Sequence, residues 1–309
     1  MSNNEKKVIE SPFVFRTGMI IQCDNSDKNI TIPSYLKMAY KGIIGPVQLH
    51  ILDILYEYGY ITRHTLSILM PNETNDNCKT AVRKLCNYGL LRKYHIEYSC
   101  ENGFTRKTVD YYGLSSTGIQ ICKVKSGSGR LSATKALNSF FVHHADENSP
   151  PQEVLKILAL NNFIATFYKQ YKNHVVKMYK NVYIKKSNHF YNVRSIYILN
   201  SKELDFNILL VPIAVRRNAG WQRELTGNLQ LIAPKLSDIV KEPVMKLMLI
   251  LVEDNIMACE AEKVVRNCSE LNNISVLYIS DWAANQENIL DNLLTVRRNN
   301  DYDIVRLSV

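Results

Sequence analysis

Long hydrophobic runs are missing from this 309-residue chain, and so are cysteine pairs spaced for a metal site. No apolar stretch approaches the roughly 18 residues that a membrane-spanning helix requires. The seven cysteines form no Cys-x-x-Cys pair and do not cluster with histidine, which indicates buried free thiols in a reducing compartment. A polar, charged N-terminus without a signal-peptide pattern predicts a cytoplasmic protein with no membrane partner.

Phosphate-binding and metal-binding motifs are also missing. The small, basic stretch 125–130 contains Gly-Ser-Gly, but no strand precedes it and no Gly-Lys-Ser/Thr follows, so a linker is favoured over a phosphate loop. His143 and His144 stand beside Asp146 and Glu147, yet adjacent histidines do not share a helix face. We therefore expect no metal and no cofactor.

The charge of the chain is positive and unevenly spread. There are 38 lysines and arginines against 29 aspartates and glutamates, with a pI of about 9.1. Residues 34–130 hold 13 basic and 7 acidic side chains, whereas residues 131–309 hold 21 and 18. The excess in the first of these regions is what binding to nucleic-acid phosphates would require.

A helix of two unlike faces is predicted within residues 75–89. Small and apolar residues recur at helical spacing and predict one buried stripe, and Gly89 stands where a helix C-terminus favours a left-handed residue. The other face offers cations for phosphates, and amides and a hydroxyl for base edges. The stripe is Cys78, Ala81, Val82 and Leu85; the candidate DNA-binding residues are Asn75, Asn77, Lys79, Thr80, Arg83, Lys84 and Asn87.

A β-hairpin is predicted directly after this helix. Alternating residues within 90–98 and 105–112 favour two strands, and Asn102-Gly103 between them is typical of a two-residue turn. Arg106 and Lys107 place positive charge near the hairpin tip. Helix followed by basic hairpin is the order of a recognition helix and its wing. The alternative is an ordinary small α+β domain with a solvated basic helix.

Four segments follow from these patterns. We predict an N-terminal arm at 1–33, a winged helix-turn-helix DNA-binding domain at 34–125, a linker with a helix at 126–150, and an α/β domain at 151–309. In the second of these, Gly45-Pro46 opens a helix and Thr62 can cap the next one. A helix from Ser115 to Val124 could build the interface of a homodimer.

The last segment has the element order α-β-β-β-α-β-α-β, with a final helix at 285–298 and Pro212 expected at a bulge or sheet edge. This order is that of a restriction-endonuclease-like core, in which carboxylates on two strands hold Mg²⁺. Here Glu203 and Asp205 share one loop and no acid-x-Lys follows, so cleavage is poorly supported and no catalytic residue is assigned. Three arginines near a strand-to-helix turn could contact phosphate or an acidic partner: Arg216, Arg217 and Arg223.

The first domain resembles the replication-relaxation family, winged-helix DNA-binding proteins of plasmids and conjugative elements. The resemblance lies in Tyr60-Ile61-Thr62, in the stretch from Arg83 to Arg92, and in the stretch from Tyr112 to Gly118. It implies an N-terminal winged helix joined to a nuclease-like domain that often lacks the full catalytic set. It also implies a role in replication, transfer or maintenance of a mobile element, in association with a plasmid or the nucleoid.

The partners expected on these grounds are double-stranded DNA, a second copy of the chain, and replication or transfer proteins. Two other functions stay open. One is a winged-helix transcriptional regulator whose C-terminal domain dimerises or senses a ligand, and the other is a metal-dependent nuclease.

Overall fold

A computed structural model describes residues 11–24, 30–100, 102–125, 149–186, 189–201, 207–239 and 244–307. The chain combines helices and strands throughout and is a mixed α+β protein. It divides into two compact units. The first unit contains Thr17–Lys169, and the second contains Gln170–Val309 together with the chain up to Arg16.

The helices of the first unit begin at sites that the sequence marks. Pro46 occupies the first turn of α2, and the side chains of Thr62 and Thr74 accept hydrogen bonds from backbone N–H groups at the starts of α3 and α4. The bounds are α1 Ile32–Tyr40, α2 Pro46–Tyr58, α3 Arg63–Leu69, α4 Asn75–Asn87, α5 Ser116–Lys125 and α6 Pro151–Tyr171.

A four-stranded antiparallel sheet packs with these helices. Its strands are β1 Ile20–Cys23, β2 Ile61–Thr62, β3 Leu91–Ser99 and β4 Thr105–Leu114, in the order β1-β3-β4-β2. The core beneath it joins apolar residues of α2, α3 and α4 to the bases of β3 and β4 and to α5. The apolar side of α4 is thereby fixed to the rest of the unit.

The second unit is built on a seven-stranded mixed sheet in the order β11-β10-β9-β8-β7-β6-β5. The three central strands β7, β8 and β9 run parallel, and the outer neighbours are antiparallel. The strands are β5 Val175–Lys186, β6 His189–Leu199, β7 Asn207–Ala214, β8 Val244–Val252, β9 Ser275–Ser280, β10 Leu293–Val296 and β11 Tyr302–Val305.

Within the described residues, three α-helices accompany this sheet, namely α7 Trp221–Ile232, α8 Leu236–Ile239 and α9 Asn255–Val265. Apolar residues of α7 and α9 form one core with the sheet. Near-continuous apolar runs in β7 and β8 are what burial on both faces of parallel strands requires. The break between α7 and α8 comes at Pro234, as its sequence predicts.

The division between the units falls later in the chain than the predicted boundary at residue 150. Helix α6 belongs almost wholly to the first unit because its buried polar residues bond there. Asn161 Nδ2 donates to the carbonyls of Tyr58 and Tyr60, and Asn162 Oδ1 accepts from the hydroxyl of Thr65.

The predicted N-terminal arm at 1–33 is also divided. Residues Ile20–Cys23 form β1, which pairs with β3, so this part of the arm completes the first unit's sheet. The chain up to Arg16 belongs to the second unit, where Phe13 is buried. The first unit is therefore inserted between two parts of the second unit.

One prediction in the second unit is wrong. No α-helix covers residues 285–298: Asn288 has a left-handed φ of 58°, Ile289–Asn292 forms only a short 3-10 helix, and Leu293–Val296 is strand β10, whose apolar side chains are buried against β9 and β11. Pro212 lies in the central strand β7 at a position that has a paired neighbour on one side only. The ladder from β7 to β6 ends at Leu210, so Pro212 stands where β8 is the paired neighbour.

Some predictions fall outside the described residues. These are most of the linker and helix at 126–150, the two histidines at 143 and 144, and the acidic pair Glu203 and Asp205.

Within the described ranges, no helix combines the length and the apolar character needed to cross a membrane.

Candidate nucleic-acid interface

Helix α4 is held at both ends by backbone geometry that its sequence specifies. The hydroxyl of Thr74 accepts from the N–H of Asn77 at 3.2 Å, which satisfies one of the unbonded donors of the first turn. At the other end Gly89 has a φ of 69°, and the N–H of Leu90 donates to the carbonyl of Leu85 at 3.0 Å. The helix therefore stops sharply before β3.

The predicted apolar stripe of α4 is buried and its predicted polar residues are exposed. Cys78, Ala81, Val82 and Leu85 all belong to the core of the first unit. On a helix, residues three or four apart are neighbours, so the cations and amides form one continuous polar surface. We call this surface the α4 polar face; its exposed residues are Asn75, Asn77, Lys79, Thr80, Arg83, Lys84 and Asn87.

The hairpin after α4 is present, and its turn is longer than the two residues expected at Asn102-Gly103. The N–H of Cys100 donates to the carbonyl of Phe104 at 2.8 Å, and Gly103 adopts a φ of 78°. Arg106 and Lys107 are both exposed near the tip. Because they are consecutive in a strand, their side chains leave opposite faces of the hairpin.

A cluster of charged groups joins β1 to this hairpin, and the sequence reasoning missed it. Lys93 Nζ lies 2.7 Å from Asp24 Oδ2 and 3.2 Å from Asp110 Oδ2, and the buried His95 places Nδ1 2.8 Å from Asp24 Oδ1. Burial alone would lower the pKa of Lys93, but these carboxylates raise it above its ordinary value. Lys93 of β3 is thus paired with Asp110 of β4 and with Asp24, the residue after β1. These ion pairs connect β1 to the hairpin.

The three arginines predicted to contact phosphate or an acidic partner have different environments. Arg216 is fully buried, with its guanidinium 2.9 Å from Asp281 Oδ1, so it is closed to an external phosphate and its predicted role is corrected. Arg217 Nη1 lies 3.3 Å from Asp254 Oδ2, and Arg217 Nη2 lies 3.4 Å from Glu260 Oε2. Arg223 is exposed on α7.

Charged side chains gather where the three parallel strands end. Arg216 follows β7, Glu253 follows β8 and Asp281 follows β9, so their side chains lie at one edge of the sheet. This edge is where open α/β sheets bind ligands. The predicted nuclease-like order places carboxylates on earlier strands, but the signal that marks this site in the sequence is an acid directly after a buried apolar strand, as at Glu253 and Asp281.

The N-terminal segment covers this edge. Glu253 Oε1 accepts from the N–H of Phe15 at 2.8 Å and from the N–H of Arg217 at 3.2 Å, while Ser11 donates to Asp281 at 2.9 Å. Burial raises the pKa values of Glu253 and Asp281, and the neighbouring Arg216 opposes the shift. Across the described residues, histidine, cysteine and carboxylate side chains form no group of three placed to hold a metal ion.

Comparison with known proteins gives no relative from which a function could be transferred. No protein-family model, characterised protein or solved structure shows significant similarity to this chain.

Proposed function

We propose that this chain is a sequence-specific double-stranded DNA-binding protein with a winged helix-turn-helix in its first unit. The observation that carries the proposal is the α4 polar face, seven predicted contact residues that are all exposed on a helix whose opposite side is buried. In this role α4 enters the major groove, which is wide enough for a helix. Helix α3 and the turn before α4 support it.

The polar face has the chemistry that each part of a DNA site requires. Lys79 and Lys84 are placed for phosphates, whereas Arg83 and Asn87 are the residue types that bond guanine and adenine edges. Arg106 and Lys107 on the hairpin would contact the backbone or the minor groove beside the helix. A homodimer, and association with replication or transfer proteins, stay predictions that the mass of the protein in solution and affinity capture would test.

For the biological role we propose replication, transfer or maintenance of a plasmid or other mobile element, as the resemblance to the replication-relaxation family implies. The element order of the second unit is consistent with a nuclease-like fold in a non-cleaving role. A transcriptional regulator is separated from this by footprinting, because it would protect promoter fragments in preference to the origin of the element. A nuclease would nick supercoiled plasmid in Mg²⁺ or Mn²⁺, and we expect the plasmid to stay intact.

The direct test selects a bound site from random DNA and measures two variants on it. Arg83→Ala is expected to weaken binding to the selected site by about 1–3 kcal/mol and to relax preference at one position, because a bidentate base contact is lost. Lys107→Ala should weaken all sequences alike and lower the salt dependence of binding, because phosphates are the same in every sequence.

Lys123→Ala is the matched control, since Lys123 is an exposed cation on α5 outside the proposed contact surface. If Arg83→Ala and Lys107→Ala both bind the selected site with the affinity of the wild type, the proposed docking is wrong. Thermal unfolding of each variant shows whether a loss of binding is a loss of folding instead.

A further inference from the structure

Charge in the second half of the chain is segregated along the sequence. Between Glu153 and Glu203 there are nine lysines and arginines and no aspartate or glutamate. From residue 203 to the C-terminus there are 11 lysines and arginines against 15 aspartates and glutamates. The small net charge of this half therefore conceals a strongly basic segment followed by an acidic one.

Five of these nine cations lie on one element of the fold, the two-stranded ribbon of β5 and β6. The strands pair from Val175 and Leu199 to Lys186 and His189. Strand β6 pairs with β7 only over Tyr197–Leu199, so within the described residues the rest of β6 pairs with β5 alone. We call β5 with β6 the basic ribbon.

The basic ribbon is anchored in the second unit, and β5 is the outermost strand of its sheet. Ile184, Val193 and Ile196 enter the core of the second unit beside α7, which carries the exposed Arg223. The cations Lys177 and Lys180 are exposed, and Lys172 is exposed just before β5. Lys177 and Lys180 stand three residues apart in a strand and leave opposite faces of it, so the ribbon presents its lysines along the outer edge of the sheet.

Polar and aromatic contacts give this surface a defined shape. Lys177 Nζ lies 4.7 Å from the ring centroid of Tyr179, within the range of a cation–π interaction. Asn192 Nδ2 lies 3.3 Å from Asn181 Oδ1 and 3.4 Å from the hydroxyl of Tyr183, and it donates across the two strands. Lysines held by a paired backbone lose less freedom on meeting a polyanion than lysines on a disordered tail.

From this arrangement we propose that the basic ribbon is a second DNA-binding surface, which contacts the phosphates of duplex DNA without reading sequence. The identity of the polyanion rests on the proposed function of the first unit. Lysines are point charges suited to phosphates, and a two-stranded ribbon is narrow enough to follow a major groove. Lys172, Lys177 and Lys180 are the described residues assigned to these contacts.

The test measures binding of the full chain to a random-sequence duplex over a range of salt concentrations. The ribbon variant combines Lys172→Ala, Lys177→Ala and Lys180→Ala. Each lost phosphate contact removes about 0.9 from the slope of log affinity against log salt, so the slope should fall by about two to three. The preference for a selected site over random DNA should keep its wild-type ratio, because phosphate contacts carry no sequence information.

A matched control removes three exposed cations from the same unit outside the ribbon, with Lys235→Ala, Lys263→Ala and Arg306→Ala. The control should keep the wild-type slope. Equal slopes for the ribbon variant and the control would overturn the inference, and thermal unfolding of both variants excludes a folding defect as the cause.

Failure of this inference can be told apart from failure of the proposed function. If Arg83→Ala loses sequence preference while the ribbon variant keeps the wild-type salt slope, only the ribbon inference fails. If the wild type binds no duplex, both fail. If the wild type binds vesicles containing phosphatidylserine and the ribbon variant loses that binding with an unchanged DNA slope, the ribbon is a membrane-facing surface instead.

Discussion

The guanidinium of Arg216 and the carboxylate of Asp281 form an ion pair 2.9 Å long, and both side chains are almost completely buried. The pair joins Arg216, two residues after the end of β7, to Asp281, the residue after β9, across the intervening β8. Glu253, which follows β8, is buried beside them. One buried cation thus serves two carboxylates at the carboxyl ends of the parallel strands.

Replacing Arg216 should lower the free energy of unfolding of the second unit. Arg216→Met keeps an apolar stem of similar length but leaves Asp281 and Glu253 buried without their counter-charge. Removing one partner of a buried ion pair costs about 3–5 kcal/mol, because the remaining charge is not solvated. Urea denaturation measures this loss. Arg223→Met is the control, because it changes an exposed arginine of the same unit. Its free energy of unfolding should stay within about 0.5 kcal/mol of the wild type. Equal stability of the two variants would contradict the burial of Arg216.

The pH dependence of stability should change in Glu253→Gln. Burial raises the pKa of Glu253 above its ordinary value, although hydrogen bonds from Phe15 and Arg217 oppose the shift. In the interval between the unfolded and folded pKa values the folded protein binds more protons, so this group makes the wild type lose stability as pH rises through that interval. Glutamine keeps the accepting oxygen and does not titrate, so the variant should show a flatter profile.

Urea denaturation over a pH series from about 4 to 8 measures this difference. Glu287→Gln is the control, since Glu287 is exposed in the same unit and should leave the wild-type profile unchanged. A profile for Glu253→Gln that is as steep as that of the wild type would show that Glu253 is not the group responsible.

Gly118 marks a close approach between α5 and the chain after α4. A Cβ at this position would lie 2.4 Å from the carbonyl oxygen of Leu90, which is backbone and cannot swing aside. Gly118→Ala should therefore destabilise the first unit by about 1–3 kcal/mol, the usual cost of overpacking.

Gly227→Ala is the matched comparison, because Gly227 lies within α7 and a Cβ there would meet nothing within 4 Å. That variant should gain about 0.5–1 kcal/mol, since alanine loses less entropy in a helix. Thermal unfolding of the two variants should shift in opposite directions. A shift in the same direction would mean that α5 does not sit as close to Leu90 as described.

Local patterns were enough to predict α4 and the strands that follow it. The stripe of Cys78, Ala81, Val82 and Leu85 predicts which side is buried, because burial of apolar surface follows the helical period. Gly89 and Asn102-Gly103 predict the stops between elements, because their backbone requirements are local. The order of strands and helices from β5 to α9 was also predicted, because it too depends on local sequence patterns.

Long-range pairing was beyond such patterns. Strand β1 joins β3 across some seventy residues, and helix α6 joins the first unit through Asn161 and Asn162, whose partners are backbone and side-chain groups far away in sequence. Residues 293–296 became a strand where a helix was expected, because two neighbouring strands were available to pair with them.

The amino-acid sequence by itself determined which residues of α4 face solvent and where the helix begins and ends, since side-chain period and capping depend on near neighbours. Only the tertiary structure decided that Arg216 is buried against Asp281, and that the lysines of β5 stand on a supported ribbon. Whether a cation is exposed depends on what folds over it, and that is fixed by strands and segments distant in the chain.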